Sequence, residues 1–375
     1  MRLGGAAVLM ATLVATPVAA QRVTAGDVTL RLSGRMHFQF NTTSVREADL
    51  AEPGEVASVS GSTFETRRVR MMVHLTIKDW ITGYVEPDFG LARLTLKQVW
   101  MNFGFSDAFQ VRMGQFKKAF SLIQLTSSLE TATIERGLRI RSLAEAYEKA
   151  DDASGAPALT RFRGDVVLGE EQEILERFGY VSYDMGVAAH GKSGAFGWEV
   201  GAFNGAGPDT RDDTDGKALA GRVTWTAPVE APLTLGAAAS YSEKAASATD
   251  VVDGAAWSLD LELGAFRRTG LHVLAEIARG DNLAAGHPFL AGQAIASWFV
   301  PRQNPRFDGL ELVARASWGD PDRETEGDHG TLLSPGVNVY VDGKNRFMLN
   351  WDVFTPGGDR FETRHALRAQ AQLHW

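Results

Sequence analysis

The side chains best equipped for chemistry in this sequence are its early cations. Arg31, Arg35, Arg68, Arg70 and Arg112 stand within alternating segments, and Lys117, Lys118, Arg136, Arg139 and Arg141 follow close behind. A guanidinium fork donates two parallel hydrogen bonds to a phosphate or carboxylate, while an ammonium acts as a point charge. Held along a narrowed aqueous path, such groups replace part of an anion's hydration and turn cations away. Between Phe109 and Arg141 six basic residues stand against two acids, Glu130 and Glu135; from Ser142 onward the chain carries 21 basic and 34 acidic residues. The ten cations are therefore candidates for an anion path. For each, the plainer alternative is a solvated loop charge or a contact to acidic lipid headgroups.

Other chemistries fail in context. Gly186 to Ser193 has the spacing of a phosphate-cradling loop, but such a loop must open a helix, and Gly194 to Trp198 lead into another alternating segment. The run reads as a hairpin turn. Asp209, Asp212, Asp213, Asp215 and Gly216 hint at calcium, yet an EF-hand count puts Arg211 at its first position and Arg222 where the bidentate Glu belongs. A polar loop with adventitious divalent binding fits better. The eight His are scattered and there is no Cys, so no metal or other cofactor is implied, and thiol chemistry and disulfides are set aside. A net charge of −8 argues against a nucleic-acid partner.

What could position the cations is a set of strands. From Val28 to Phe40 the even positions are Val28, Leu30, Leu32, Gly34, Met36, Phe38 and Phe40, and the odd ones Thr29, Arg31, Ser33, Arg35, His37 and Gln39. One face is apolar and the other polar. The same alternation recurs around Val69 to Ile77, Trp257 to Leu263, Phe347 to Val353 and Leu367 to Trp375. About sixteen such segments are expected, with short links at Lys78–Asp79, Ser106–Ala108, Gly191–Ala195, Ala227–Pro232, Gly264–Gly270 and Asp342–Asn345. Longer ones are expected at Asn41–Thr63, Lys117–Val181, Gly205–Lys217, Glu243–Gly254 and Trp318–Thr331. A brief link near Gly90–Arg93 and a rather long one around Val300–Asp308 break the alternation.

This is the pattern of an all-β transmembrane antiparallel β-barrel of about 16 strands, with short periplasmic turns and long outer loops. Residues 1–20 read as a secretory signal: Arg2, an apolar core from Ala6 to Val14, then Val18, Ala19 and Ala20 before a cut. An amphipathic or anchoring first helix is the alternative. Residues 21–375 form the single barrel, and 117–182 a long loop that could fold inward as a constriction. A soluble sandwich also alternates, but its central strands should be apolar on both faces. Aromatics such as Phe40, Trp80, Trp225, Trp257, Phe299, Trp318 and Phe354 suit interface girdles.

The stretch Arg112, Met113, Gly114, Gln115, Phe116, Lys117, Lys118, Ala119, Phe120, Ser121, Leu122, followed by Leu125 to Ser128 and then Glu135 and Arg136, resembles a segment of the phosphate-selective porin O and P family. Further pieces agree in order: Arg67 to Arg70, Phe203 to Gly205, Glu311 to Arg315, and Arg368 to Gln370 with a terminal aromatic. The resemblance implies an outer-membrane barrel of sixteen strands, commonly trimeric, passing phosphate or related anions through a basic constriction. Ala119 stands where the family has Pro, Trp375 where it ends in Phe, and Ser142 to Tyr180, with a helical-looking Leu143 to Ala150, has no match.

Three functions remain open at this point. One is a non-enzymatic channel in the outer membrane for phosphate or other small anions, in contact with lipid. A second is a less selective diffusion porin, since Glu86, Asp260, Glu262, Glu276 and Asp352 also fall on or near polar faces and would favour cations or zwitterions at the narrowest point. The third is an outer-membrane enzyme or structural barrel.

Overall fold

The computed structural model describes residues 21–46, 58–138, 170–208, 210, 212, 214–230, 232–245, 251–358 and 363–375. Among these residues, seventeen strands run in one antiparallel sheet. They are β1 (Gln21–Ala25), β2 (Val28–Arg46), β3 (Ser58–Ile77), β4 (Ile81–Asp88), β5 (Thr95–Ser106), β6 (Phe109–Lys117), β7 (Tyr183–Ser193), β8 (Phe196–Phe203) and β9 (Ala218–Ala227). Then come β10 (Leu233–Ala245), β11 (Val251–Leu263), β12 (Gly270–Asp281), β13 (Pro288–Asn304), β14 (Phe307–Asp320), β15 (Gly330–Asp342), β16 (Asn345–Pro356) and β17 (Arg364–His374). Each of β2 to β17 pairs with its sequence neighbour, and β17 pairs back onto β2, from His365 opposite Ser44 to His374 opposite Arg35. Sixteen strands thus close a barrel. The short β1 takes the rest of the same edge of β2, Gln21 lying opposite Leu32 and Ala25 opposite Val28.

The two faces of the wall are sorted as the alternation requires. On β2, Met36 and Phe38 are exposed on the outside while Arg35, His37 and Gln39 are buried inside. Leu259, Leu312, Phe347, Leu349 and Trp351 repeat the outward apolar set on other strands. A soluble sandwich would bury these side chains; a wall turned apolar side outward wants hydrocarbon around it. No helix among the described residues is long and apolar enough to cross a membrane, so strands make the span.

The tight turns fall at one end. Lys78 and Asp79 take positive φ between β3 and β4, and Gly343 does so between β15 and β16. Two expectations need correction. The link at Val300–Asp308 is a two-residue turn, because β13 continues through Pro301 to Asn304 past a bulge, and a polar stretch with two prolines there read as loop. Phe299 and Phe354 are buried inside the barrel and belong to no girdle, whereas Trp80, Trp225 and Trp257 are exposed.

The connection between β6 and β7 folds into the barrel. Its described parts carry two short helices, α1 (Leu122–Leu125) and α2 (Glu171–Arg177). Apolar side chains root it to the wall. Phe120, Ile174, Leu175, Phe178 and Tyr180 pack on Ala238, Ala256, Ala278, Phe289 and Ala291, and Leu122, Ile123 and Ala132 pack on Leu274, Ile295 and Val313. Small or apolar residues on the inner face of β10 to β14 therefore make a seat for the loop, where a wholly water-filled lumen would have asked for polar ones. The helical-looking segment Leu143 to Ala150 and residues 1–20 lie outside the described residues.

Candidate functional site: the eyelet beside the inward loop

The loop is aimed by its entry. Gly114 sits at φ 126°, where an added Cβ would lie 2.2 Å from the Val99 carbonyl oxygen, so this close strand crossing admits glycine alone. After Lys117 the chain turns inward, and Lys118 donates through Nζ to the Gly179 carbonyl at 2.5 Å with Asp184 3.9 Å away. Entry and exit of the loop are thereby clipped together. Burial pushes the Lys118 ammonium down to about 8, with the Asp184 carboxylate holding it up against that penalty.

Beyond α1 the loop crosses to the far wall, where its backbone is held by side chains. Arg346 donates to the Thr131 carbonyl at 2.7 Å, Asn338 to that of Ala132 at 2.9 Å and Arg315 to that of Glu135 at 2.9 Å; the Asn350 amide oxygen accepts from Ile134 N at 2.7 Å. Backbone groups placed away from water must find partners, and here the wall supplies them. Asp352 in turn fixes Arg315 at 3.1 Å and Arg368 at 2.6 Å.

Between the near side of the loop and β2 to β8 an eyelet of about 290 Å³ stays open. Its cations are Arg35, Arg70, Arg112, Lys117 and Arg136, its acids Glu86 and Glu199, and Tyr84, Tyr183, Ser127 and Ser128 supply hydroxyls. Glu86 accepts from Arg35 (3.0 Å), Arg70 (2.9 Å), Tyr84 (2.9 Å) and Gln98 (2.8 Å), and Arg70 also reaches Asp88 at 2.7 Å. Arg35 donates to Ser128 at 2.7 Å, tying wall to loop. The Arg112 guanidinium lies 5.2 Å from the ring centres of both Trp100 and Phe116, with Glu199 at 3.6 Å.

Lys117 and Arg136 differ from these. They converge on the carbonyls that end α1: Lys117 on Gln124 and, at 3.4 Å, Leu125; Arg136 on Ile123 at 2.9 Å and Thr126 at 2.6 Å. A helix C-terminus favours cations, so the loop collects two positive charges without spending a carboxylate on them. Burial lowers the Arg136 pKa, with Arg70 adding to the effect and Tyr183 opposing it, yet a guanidinium keeps its proton.

Of the ten sequence candidates, Arg35, Arg70, Arg112, Lys117 and Arg136 meet around the eyelet. Arg31 is exposed near the tight-turn end of β2, away from it. Arg68 is buried against Glu135 at 3.0 Å and Lys118 is turned to the loop clip, so neither lines the opening. Strand parity says nothing about how high a residue stands or what sits opposite, and Lys118 follows the end of β6. Arg139 and Arg141 lie outside the described residues. Sequence reasoning missed Arg67, which a bulge at His37/Phe38 lets reach Glu135 at 2.7 Å beside Arg68. It also missed the clamping roles of Arg315, Arg346 and Arg368, although Arg346 and Arg368 stand on polar faces that parity had marked. Gly186 to Ser193 lies within β7 and turns at Gly194 into β8, a hairpin as the alternation required.

The family model for phosphate-selective porin O and P matches residues 40–264. The chain belongs to that family. Solved barrels agree on the fold of this porin. The outer-membrane channel DcaP of Acinetobacter baumannii aligns with TM-score 0.58 at 13% identity, over 95% of this chain and 100% of that one. OmpT of Vibrio cholerae aligns at 0.54 and 10% identity, over 95% and 100%. OprB of Pseudomonas putida aligns at 0.56 and 11%, over 91% and 94%. Comparison with curated proteins finds no match. The porin is thus a non-enzymatic channel of the outer membrane, with lipid outside its wall and small solutes passing within.

Proposed function

We propose that the eyelet passes phosphate or similar small anions in preference to cations. What carries this reading is the charge around the opening: five cations against two carboxylates, with Lys117 and Arg136 bonded to carbonyls so that their charge is left for a solute. An anion entering here exchanges water for guanidinium, ammonium and hydroxyl donors in a setting where each is stronger than in bulk water. Unselective diffusion of small solutes is the second reading. It is favoured by Glu86, which is ion-paired with both Arg35 and Arg70, and by Asp88, which takes a further donor of Arg70, and it suits the fold shared with other outer-membrane channels.

Single-channel recordings in a salt gradient separate the two. The anion reading expects a reversal potential on the anion side, and chloride current blocked by phosphate. Replacing Lys117→Gln and Arg136→Gln together should weaken that block about tenfold, the ~1.4 kcal/mol of one good hydrogen bond to a charged group. Equal permeabilities, or a block untouched by the double variant, would leave diffusion as the function. The homotrimer that the family resemblance implies belongs to this proposal and is checked by native mass spectrometry of detergent-extracted protein.

A further inference from the structure

On the opposite side of the loop from the eyelet, two carboxyl groups meet inside the barrel. Glu171 begins α2 and Glu276 points inward from β12; both are buried, both accept from the one amide nitrogen of Gln172, and the Glu276 charge acts on Glu171. One oxygen of each is well supplied. Glu276 Oε1 accepts from Ser121 at 2.7 Å and Gln172 at 3.2 Å, and Glu171 Oε2 accepts from Gln172 at 2.8 Å and Gln293 at 2.9 Å. The other two oxygens, Glu171 Oε1 and Glu276 Oε2, are buried with no donor among the described residues. Two acceptors can bond only when a proton lies between them.

The surroundings keep that proton in place. From α2 the pair faces Glu170, from β11 it faces Asp260, itself ion-paired with Arg222, and from β13 the neutral Gln293. Arg315 on β14 acts on Glu170. No cation is bonded to either carboxyl among the described residues.

We propose that Glu171 and Glu276 share one proton and that this acid pair latches α2 to the wall, so that the porin's inward loop loosens in alkaline solution. With the proton present, a carboxyl hydroxyl on one residue donates to the carboxylate of the other. When hydroxide removes it as water, two buried like charges face each other and repel. Burial and the Glu276 carboxylate hold Glu171 well above the usual carboxylate range. The sign follows: a raised pKa in the folded state stabilises at low pH, and that stabilisation is lost as pH rises through it. Burial also pushes Glu170 up to about 7, with Arg315 opposing, so Glu170 adds its own negative charge beside the pair near neutrality.

The test is recording of the full-length refolded porin in planar lipid bilayers between pH 6 and 9, with hydrogen exchange of the peptide spanning 171–181 corrected for intrinsic rates. Spontaneous closures in wild type should rise roughly threefold or more across the range, against a ceiling of about tenfold per pH unit for one proton, and protection of 171–181 should fall. Glu171→Gln, whose amide donates permanently to Glu276, should hold both readouts at their low-pH values, and Glu171→Ala should show the high-pH behaviour throughout. Closures and exchange that ignore pH in wild type, or a Glu171→Gln profile that follows wild type, overturn the latch. So does a wild-type response that millimolar calcium sets and chelator removes at constant pH, because a metal ion would then occupy the gap. None of these outcomes depends on anion preference, and wild-type exchange alone decides the matter if the variants fail to fold.

Discussion

The far and near sides of the barrel interior use the same pairs of residues to opposite ends. On the far side, formed by β14 to β17, Arg315, Arg346 and Arg368 spend their donors on loop carbonyls and on Asp352, and little is left for a solute. On the near side, Arg35, Arg70 and Arg112 stand around an opening, and Lys117 at the end of β6 and Arg136 in the loop border the same space. An arginine in this barrel is a clamp where it is packed between loop and wall and a candidate selector where it borders the opening, as Arg136 does although it too bonds loop carbonyls. Residue type alone therefore does not tell the two apart.

The comparison can be broken most strongly at Arg315. Replacing Arg315→Met leaves Asp352 short of one buried partner and frees the Glu135 carbonyl, a loss of about 3–5 kcal/mol in barrel stability. Urea unfolding in detergent should show this, together with a higher single-channel conductance as the loop leaves its seat. Unchanged conductance would mean that the far side does not hold the loop.

A middling effect is expected from Arg112→Lys, which keeps the charge but loses the fork over Trp100 and Phe116. About 1 kcal/mol of phosphate affinity should go, near fivefold in blocking concentration, with unfolding midpoints unmoved. A large shift in stability would reclassify Arg112 as a clamp. The smallest effect belongs to Arg31→Ala. Because Arg31 is exposed near the tight-turn end, it should change the salt dependence of conductance slightly and block not at all. A loss of block comparable to that of Arg112→Lys would extend the near-side path along β2.

Much of the architecture could be read from the sequence because the wall has one rule: side chains alternate between two solvents. Val28 to Phe40 and the hairpin at Gly194 obey it, and both are found where it puts them. The rule fails where something other than alternation acts. Arg67 enters the interior through a bulge, which adds a residue and resets parity. At Val300–Asp308, prolines and polar residues imitate a loop while the backbone goes on pairing. The eyelet was half legible. Arg35, Arg70 and Arg112 follow from parity and Lys117 and Arg136 from the basic run, but which arginines are spoken for is decided by Glu86 and Asp352 on other strands and by Glu135 in the inward loop. Contacts made across a barrel leave no local spacing to detect.

The shared edge of β2 bears on how the cylinder can be completed. Its length is divided between the last strand and the first, β17 covering Arg35 to Ser44 and β1 covering Val28 to Leu32. Were the five residues of β1 trimmed away, the stretch from Val28 to Leu32 would present bare amides and carbonyls at the rim, a liability where hydrocarbon begins and an invitation to pair with a stray strand. The β1–β2 hairpin thus finishes a join along β2 that β17 covers only from Arg35 to Ser44.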